Sequence, residues 1–412
     1  MRRRSAVFST LGLLCALALP AQAQEIRFWT LNFANDAANK AFQDIIHGFE
    51  AKNPGVTIKL ETRGVDEQKA ALRVAANSNQ APDIYFSWAG PGLGGEFVTS
   101  GLALNMAKYY AEYKWDDELL PAADSFSRIY PGGRYGVPYT FHGEALYYNK
   151  ALFAKAGITA PPTSYAALMA DAAKLKAAHI PAITFGGTVN WHLMRLMDVI
   201  LETKCGAAKH DALMARKLDW TTEPCATASF EALHDWTANY LLKPFMGIGE
   251  DQSFNLFLAG RAAMMLEGDW LVGELTQNGK PQSDYGLFPF PTGTDRLYGF
   301  AEYNYISTKS QHPDLAAKFL DYLISTPVQQ AHLGAFGAIS VNKDVVPSEK
   351  GTLDHAWIDI FHRYSGVFMN GDQAFPTDIT TEYWRVINDV ATDHLAPAKA
   401  AAVLQGFIAS HH

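Results

Sequence analysis

A single stretch, from Gly136 to Ala177, constrains the possible folds more than any other part of this chain. It opens with β-branched and aromatic residues around Pro138, whose fixed φ suits an extended strand. We expect a turn at Gly143, a second extended run from Ala145 to Tyr148, and then a helix that ends at Gly157. A second helix follows two prolines. A strand that leads directly into two helices predicts an α/β protein.

The preceding part of the chain also alternates between strands and helices. Short β runs at residues 25–30, 56–62 and 82–88 are separated by helical patterns at about 37–53 and 67–78. This order predicts a mainly parallel sheet with helices on both faces. Because ligands bind outside the carboxyl ends of such strands, we expect the loops after the first and third strands to face a cleft.

The N-terminal residues 1–23 have the pattern of a secretory signal peptide. Three arginines precede an apolar run from Ala6 to Leu19, and small residues allow cleavage after Ala23. The run is shorter than the roughly 20 residues that a bilayer span needs. The residue before Cys15 is not small, which disfavours a lipid anchor. We therefore expect an exported, periplasmic protein.

Removal of this segment makes the chain more acidic. The formal charge of −8 comes from 34 basic and 42 acidic residues, and the loss of three arginines leaves 31 against 42, or −11. No cluster of lysines and arginines stands out, which argues against nucleic acid or an anionic membrane as partner. Removal of 23 residues from 412 leaves 389, more than one hydrophobic core usually serves, so we expect two domains.

Two cysteines, Cys205 and Cys225, remain after export. In an oxidising compartment we expect them to pair and close a loop, which stabilises the fold by roughly 3 kcal/mol in the chain-entropy model. Two reduced, buried thiols are the alternative. No cysteine or histidine spacing suggests a zinc site, and we expect no cofactor.

Two segments resemble one known family. The run GVPYTFHGEALYYNKALFAKAGITAPPT resembles the first interlobe crossing of sugar-binding extracellular solute-binding proteins, which deliver ligand to ATP-binding-cassette importers. The run FNLFLAGRAAMMLEGDWL resembles that family's F-x-x-G-x-A-A-M-x-x-x-G-x-W signature. The resemblance covers nearly the whole mature chain and is to the family 1 type, which includes maltose-, trehalose- and glucose-binding proteins.

The resemblance implies a type II periplasmic-binding-protein fold with two lobes and three crossings between them. Each lobe would be a mainly parallel sheet flanked by helices. We place residues 24–138 plus 305–342 in the N-terminal lobe and residues 139–304 plus 343–412 in the C-terminal lobe. The implied function is capture of a neutral mono- or oligosaccharide by hinge closure, followed by delivery to a membrane permease. The protein would be a monomer and not an enzyme.

A sugar offers C–H faces and hydroxyl edges, so its binding requires aromatic planes and hydrogen-bonding side chains. The strongest candidates lie on the matched motifs or the crossings: Trp88, Trp270, His142 and Glu302. Further candidates are Tyr139, Glu144, Trp191, Asn32, Asn35, Asp36, Glu267, Asp269, Tyr303, Trp384 and Arg363.

Three alternatives remain open at this point. The same fold could bind a polyol, a glycerol phosphate or a peptide, although the acidic chain shows no basic cluster for a phosphate. Glu267 and Asp269 could serve an exported glycosidase as acid and nucleophile. Gly90, Gly92 and Gly95 spell a dinucleotide fingerprint, but they follow the third strand, so a ligand-contacting loop is the preferred interpretation.

Overall fold

The computed structural model describes residues 24–33, 36–333, 339–345, 352–364 and 366–411. The predicted signal peptide and the candidate Asn35 lie outside these residues. In the described part, no helix is long and apolar enough to cross a membrane.

Nine strands make up the sheet of the described chain. They are β1 (Gln24–Leu31), β2 (Val56–Arg63), β3 (Ile84–Trp88), β4 (Val137–Asn149), β5 (Ile183–Thr184), β6 (Met264–Gly268), β7 (Tyr285–Phe288), β8 (Arg296–Ile306) and β9 (Gly366–Phe368). The main path has the order β2-β1-β3-β8-β4-β6-β5, while β7 pairs with β4 and β9 pairs with β8. Parallel pairs join β1 to β2 and β3, β5 to β6, and β8 to β9.

The helices flank this sheet. The first nine are α1 (Asp36–Lys52), α2 (Val65–Ala76), α3 (Gly94–Thr99), α4 (Ala107–Tyr113), α5 (Trp115–Glu118), α6 (Pro121–Asp124), α7 (Lys150–Lys155), α8 (Tyr165–Ala177) and α9 (Asn190–Met214). The others are α10 (Pro224–Asn239), α11 (Glu250–Leu258), α12 (Leu271–Gln277), α13 (Pro313–Ile324), α14 (Thr326–Ala331), α15 (Leu353–Arg363), α16 (Gly371–Ala374), α17 (Thr377–Ala391) and α18 (Pro397–Ser410).

Strands β4 and β8 cross between the two lobes. The first half of β4 pairs antiparallel with β8, and its second half pairs with β6 and β7 instead. Val137 and Phe141 are buried in the core around β1, β2 and β3, whereas Leu146 is buried in the core around α9 and α10. Each crossing strand therefore contributes to both cores.

The cores are hydrophobic clusters on opposite sides of these crossings. In the first lobe, Phe42 of α1 packs against Phe28 of β1 at 5.8 Å between ring centroids. In the second lobe, Trp220, Phe230 and Tyr383 belong to a cluster built largely on helices. The mixed α/β architecture confirms the predicted two-lobe fold class. The exact division of the chain between the lobes stays a prediction.

A third segment passes beside the first lobe where the last crossing was expected. The amide of Leu120 donates to the Val341 carbonyl at 2.7 Å, and Leu119 forms a bridge with Asn342. The predicted disulfide between Cys205 and Cys225 is present. It joins α9 to the start of α10 beside Gly206, where a φ of 70° interrupts α9.

The predicted turn at Gly143 is wrong, because β4 continues through it as one strand of 13 residues. A Cβ at this position would lie 2.7 Å from Phe361 and 2.8 Å from both Leu297 and Trp357. The glycine is therefore required by the side chains that pack onto the strand, rather than by a change of chain direction.

We expect Gly143→Ala to destabilise the fold by about 1–3 kcal/mol, because the added methyl group would overpack the contact with Phe361 and Trp357. Chemical denaturation measures the change. Gly406→Ala is the matched control: Gly406 lies in α18 with no atom within 4 Å of an added Cβ. Removal of a helical glycine should leave stability equal or higher there. Equal effects at both positions would contradict the packing explanation.

Candidate functional site

A buried histidine occupies the junction between the lobes. His142 of β4 places Nδ1 2.7 Å from Oδ1 of Asp269 and Nε2 3.0 Å from Oγ1 of Thr140. The Thr140 hydroxyl donates to Glu302 at 2.5 Å, so its oxygen accepts from His142 Nε2. The Glu302 carboxylate is itself 3.5 Å from Nε2. We call His142, Thr140, Asp269 and Glu302 the histidine cluster.

Both ring nitrogens of His142 therefore act as donors, which is the arrangement of an imidazolium. Burial alone would lower the pKa of His142, but the adjacent Asp269 and Glu302 carboxylates outweigh it and raise the pKa to about 10. The histidine cluster thus holds a positive charge between two acidic side chains.

A buried arginine forms a second centre in the second lobe. Arg195 lies in α9. Its Nε is 2.9 Å from Glu144 Oε1, and its Nη1 is 2.7 Å from Glu267 Oε2. Glu250 at the start of α11 is 4.0 Å from Nη1. His192 Nε2 lies 2.9 Å from the other oxygen of Glu267. We call these five residues the arginine cluster.

His192 is held neutral by its surroundings. Its Nδ1 accepts a hydrogen bond from the Gly186 amide at 2.8 Å, so the ring proton must lie on Nε2. Burial lowers the pKa of His192 despite the adjacent Glu267. For Glu267, burial alone would raise the pKa, but the Arg195 charge outweighs it and the pKa is lowered.

Two indole rings lie over the arginine. The Arg195 guanidinium is 4.6 Å from the ring centroid of Trp191 and 5.2 Å from that of Trp270. Trp270 also contacts the His142 ring at 5.5 Å and the Phe300 ring at 5.8 Å. Trp270 thus connects the arginine cluster to the histidine cluster.

Glycine makes this position of Trp270 possible. A Cβ on Gly268 would lie 1.9 Å from the indole. Gly268 ends β6, and Trp270 follows immediately before α12. The indole therefore packs directly on the backbone of Gly268.

Trp88 supplies an aromatic ring from the first lobe. It ends β3, directly opposite Glu302 of β8, and the ammonium group of Lys69 lies 4.8 Å from its ring centroid. The glycine loop that follows meets the second lobe, where the Gly92 amide donates to the Gln373 carbonyl at 2.8 Å. A Cβ on Gly90 would lie 2.6 Å from that carbonyl oxygen. These two glycines permit close approach of backbone from both lobes.

A buried aspartate anchors the segment that Gly92 contacts. Asp198 accepts hydrogen bonds from the Gly371 amide at 2.8 Å, the Tyr298 hydroxyl at 2.8 Å and the Tyr383 hydroxyl at 2.9 Å. Burial raises the pKa of Asp198 to about 8, against the effect of these donors. Asp198 thereby positions the start of α16 and the residue before it. That residue, Asn370, lies 3.5 Å from Glu144.

Several buried acceptor atoms have no hydrogen-bond partner within the described chain. They include Oε2 of Glu144, Oδ1 of Asn370 and Oε1 of Gln373. Burial raises the pKa of Glu144 to about 7, and the Arg195 charge opposes this only in part. Since buried polar groups are nearly always paired, these atoms are positions that can accept further hydrogen bonds.

The structure brings most of the predicted residues together. Contacts link Trp88, Glu302, His142, Asp269, Trp270, Trp191, Glu144 and Glu267. Sequence reasoning missed Arg195, His192, Asn370, Gln373 and Lys69. One signal was present: Trp191 and Arg195 are four residues apart, which places them on the same face of α9.

Two candidate tyrosines are buried in the core of the first lobe. Tyr303 is fully buried and its hydroxyl donates to the Ala123 carbonyl at 2.5 Å. Tyr139 is buried against Phe42 and Phe86 in the first core.

The remaining candidates are exposed or partly exposed to solvent. Asn32 and Asp36 are exposed around the start of α1, and Arg363 is exposed at the end of α15. Trp384 lies in the middle of α17, not at a helix start, with Nε1 3.1 Å from the sulfur of Met194. Their roles as ligand contacts stay predictions. In the described chain, no group of three or more His, Cys, Asp or Glu could hold a metal ion.

The two lobes are joined by paired crossing strands, and aromatic and charged side chains lie at their junction. These are the features of a solute-binding protein. Residues 34–330 match the family described as bacterial extracellular solute-binding protein, and the chain belongs to that family. Proteins of this kind serve ATP-binding-cassette importers, as the sequence motifs predicted.

Individual relatives agree with this assignment. The chain is 27% identical over 352 residues to a binding protein of Brucella abortus, covering 80% of this chain and 79% of the relative. It is 23% identical over 368 residues to the multiple sugar-binding protein of Streptococcus mutans, covering 82% and 81%. Among solved structures, a chitin oligosaccharide binding protein superposes with a TM-score of 0.83 at 20% identity, covering 94% of this chain and 99% of that one.

We expect His142 to remain an imidazolium at pH 8, because its pKa is raised to about 10, while His192 stays neutral. Histidine ring NMR, with His142→Gln for assignment, measures both states in one sample. The stabilising contribution of His142 should be fully present below its unfolded pKa of about 6.5 and should be lost as the pH rises toward 10. A His142 ring that titrates near 6.5 would contradict this geometry.

Proposed function

We propose that this protein captures a mono- or oligosaccharide between its lobes and delivers it, unaltered, to the permease of an ATP-binding-cassette importer. The observation that carries the proposal is the pairing of aromatic rings with buried, unpartnered acceptors at the lobe junction. Trp270 and Trp191 offer faces for C–H groups, and Glu144 offers an acceptor for hydroxyl groups. The relative named as a multiple sugar-binding protein supports a carbohydrate ligand.

The contacts between the lobes support a closing mechanism. The Gly92 amide meets Gln373, and Arg73 of α2 donates to the Thr377 hydroxyl of α17 at 3.3 Å. Both contacts join the two lobes, so rotation about β4 and β8 would make or break them. A ligand held by residues of both lobes would favour the closed arrangement by its differential affinity.

The same geometry supports binding rather than bond cleavage. Glu267 lies against Arg195 and His192, and Asp269 lies against His142, so each carboxylate is tied to a cation or a ring donor. A glycosidase needs one carboxylic acid that can donate a proton and one carboxylate free to attack or to activate water. Aryl glycosides incubated with the protein should therefore show no turnover.

We expect a mono- or oligosaccharide from a thermal-shift panel to raise the melting temperature and to reduce the radius of gyration in small-angle scattering. The physical reason is that a ligand bound to both lobes stabilises the closed form. A tight-binding sugar that leaves the scattering curve unchanged would contradict hinge closure. Failure of every carbohydrate in the panel would contradict the proposed ligand class.

We expect Trp270→Ala to weaken sugar binding by about 2 kcal/mol, or roughly 30-fold in Kd, because stacking area is lost. Isothermal titration calorimetry measures this change. Trp29→Ala is the matched control, since that indole is buried in the first lobe beside Arg63, at 4.0 Å. Unchanged affinity in Trp270→Ala would assign this ring to packing alone.

A further inference from the structure

The charges around the junction do not balance. In the arginine cluster, the carboxylates of Glu144, Glu250 and Glu267 lie within 4.0 Å of the one guanidinium of Arg195. His192 adds no positive charge, because the Gly186 amide donates to its Nδ1. The arginine cluster therefore has two more negative groups than positive ones when its carboxyl groups are ionised.

The histidine cluster repeats this imbalance. The imidazolium of His142 faces two carboxylates, Asp269 at 2.7 Å and Glu302 at 3.5 Å. Across both clusters, five carboxyl groups face two cations, which gives an excess of three negative charges when all five are ionised.

Neighbouring elements add further charge. Asp251 and Glu274 act on Glu250, and Asp372 acts on Glu144, so all three extend the negative field. Lys69 of α2 lies on the Trp88 side of the site. Its positive charge acts on Asp372 and so opposes this negative field. Phosphate and carboxylate groups would therefore be repelled from the site.

Burial makes this excess costly without a compensating cation. Glu144 is fully buried and its Oε2 has no hydrogen-bond partner, although Oε1 lies close to Arg195. Asn370 and Gln373 also present buried acceptor oxygens without partners. When Glu144 is ionised, these oxygens can only receive hydrogen bonds, so each can take a donor from a ligand.

The aromatic rings also favour a positively charged hydrogen-bond donor. The faces of Trp191 and Trp270 already lie over the Arg195 guanidinium, and an indole face attracts a cation that has left water. A hydroxyl group would satisfy an acceptor but would leave the charge uncompensated. An ammonium group supplies three donors and a positive charge together.

We propose that the ligand is an amino sugar, a hexosamine or an oligosaccharide containing one, whose protonated amine lies against Glu144 in the arginine cluster. This inference rests on the proposed function, because it specifies the carbohydrate that the same cleft takes. Glu144 and Glu250 are then specificity-determining residues, and the indoles hold the sugar ring.

The test compares matched sugars by calorimetry on the mature protein at about pH 7, below the roughly 7.7–8.0 at which an α-amino group titrates, so that a sugar amine of similar pKa is largely protonated. The matched sugars are glucosamine, glucose, N-acetylglucosamine and glucuronic acid. One set presents them as monosaccharides, and the other as β-1,4-linked disaccharides. We expect the amine to bind at least about tenfold more tightly than its neutral counterparts, because a charge-assisted hydrogen bond is gained. The acidic form should bind most weakly.

Two variants locate the effect. Glu144→Gln should reduce the preference for the amine over the neutral sugar by about tenfold, and should change the affinity for the neutral sugar less. Glu250→Gln, at a partly exposed position that tolerates change better, should reduce the preference by a smaller factor. A preference that survives in both variants, each still folded, would overturn the assignment to this cluster.

The outcomes separate the inference from the proposed function. A neutral or acidic sugar that binds as tightly as the amine would overturn the amino-sugar inference and leave sugar capture standing. Absence of binding by every sugar in the sets, with the protein folded, would overturn both.

Discussion

The antiparallel pairing of β4 with β8 is the constraint on which the rest of the structure depends. Residues Val137 to Gly143 pair with Gly299 to Asn304, and each strand continues into the core of the other lobe. Strand hydrogen bonds fix the relative positions of the side chains that they carry. His142 and Glu302 are therefore held together on strands that both lobes share, and the site forms around them.

Burial of charge gives that junction its chemistry. Arg195 and His142 are each enclosed by carboxylates from different elements, so neither cation can leave without exposing unpaired buried acids. Each cation is thereby held from more than one side. Partly unsatisfied acceptors beside aromatic faces suit a small ligand that brings its own hydrogen-bond donors.

Much of the fold and part of the site could be predicted from the chain alone. Strand and helix periodicity predicted the α/β class, and the order of motifs predicted two lobes with crossings. Among the motif residues, Trp270 contacts His142, and Trp88 ends β3 opposite Glu302 of the histidine cluster. Gly143 was misinterpreted as a turn, because a glycine required by packing and a glycine required by a bend look identical without the rings that contact it.

The sequence by itself determined the class of fold, the family and which residue types could recognise a ligand, because these depend on local periodicity and ordered motifs. Only the tertiary structure decided that Arg195 lies among Glu144, Glu250 and Glu267, and that Tyr303 lies in a core. The reason is that those groups come from separate elements far apart in the chain. Their charges interact only after the sheet has brought them within a few ångströms, and no local pattern encodes that distance.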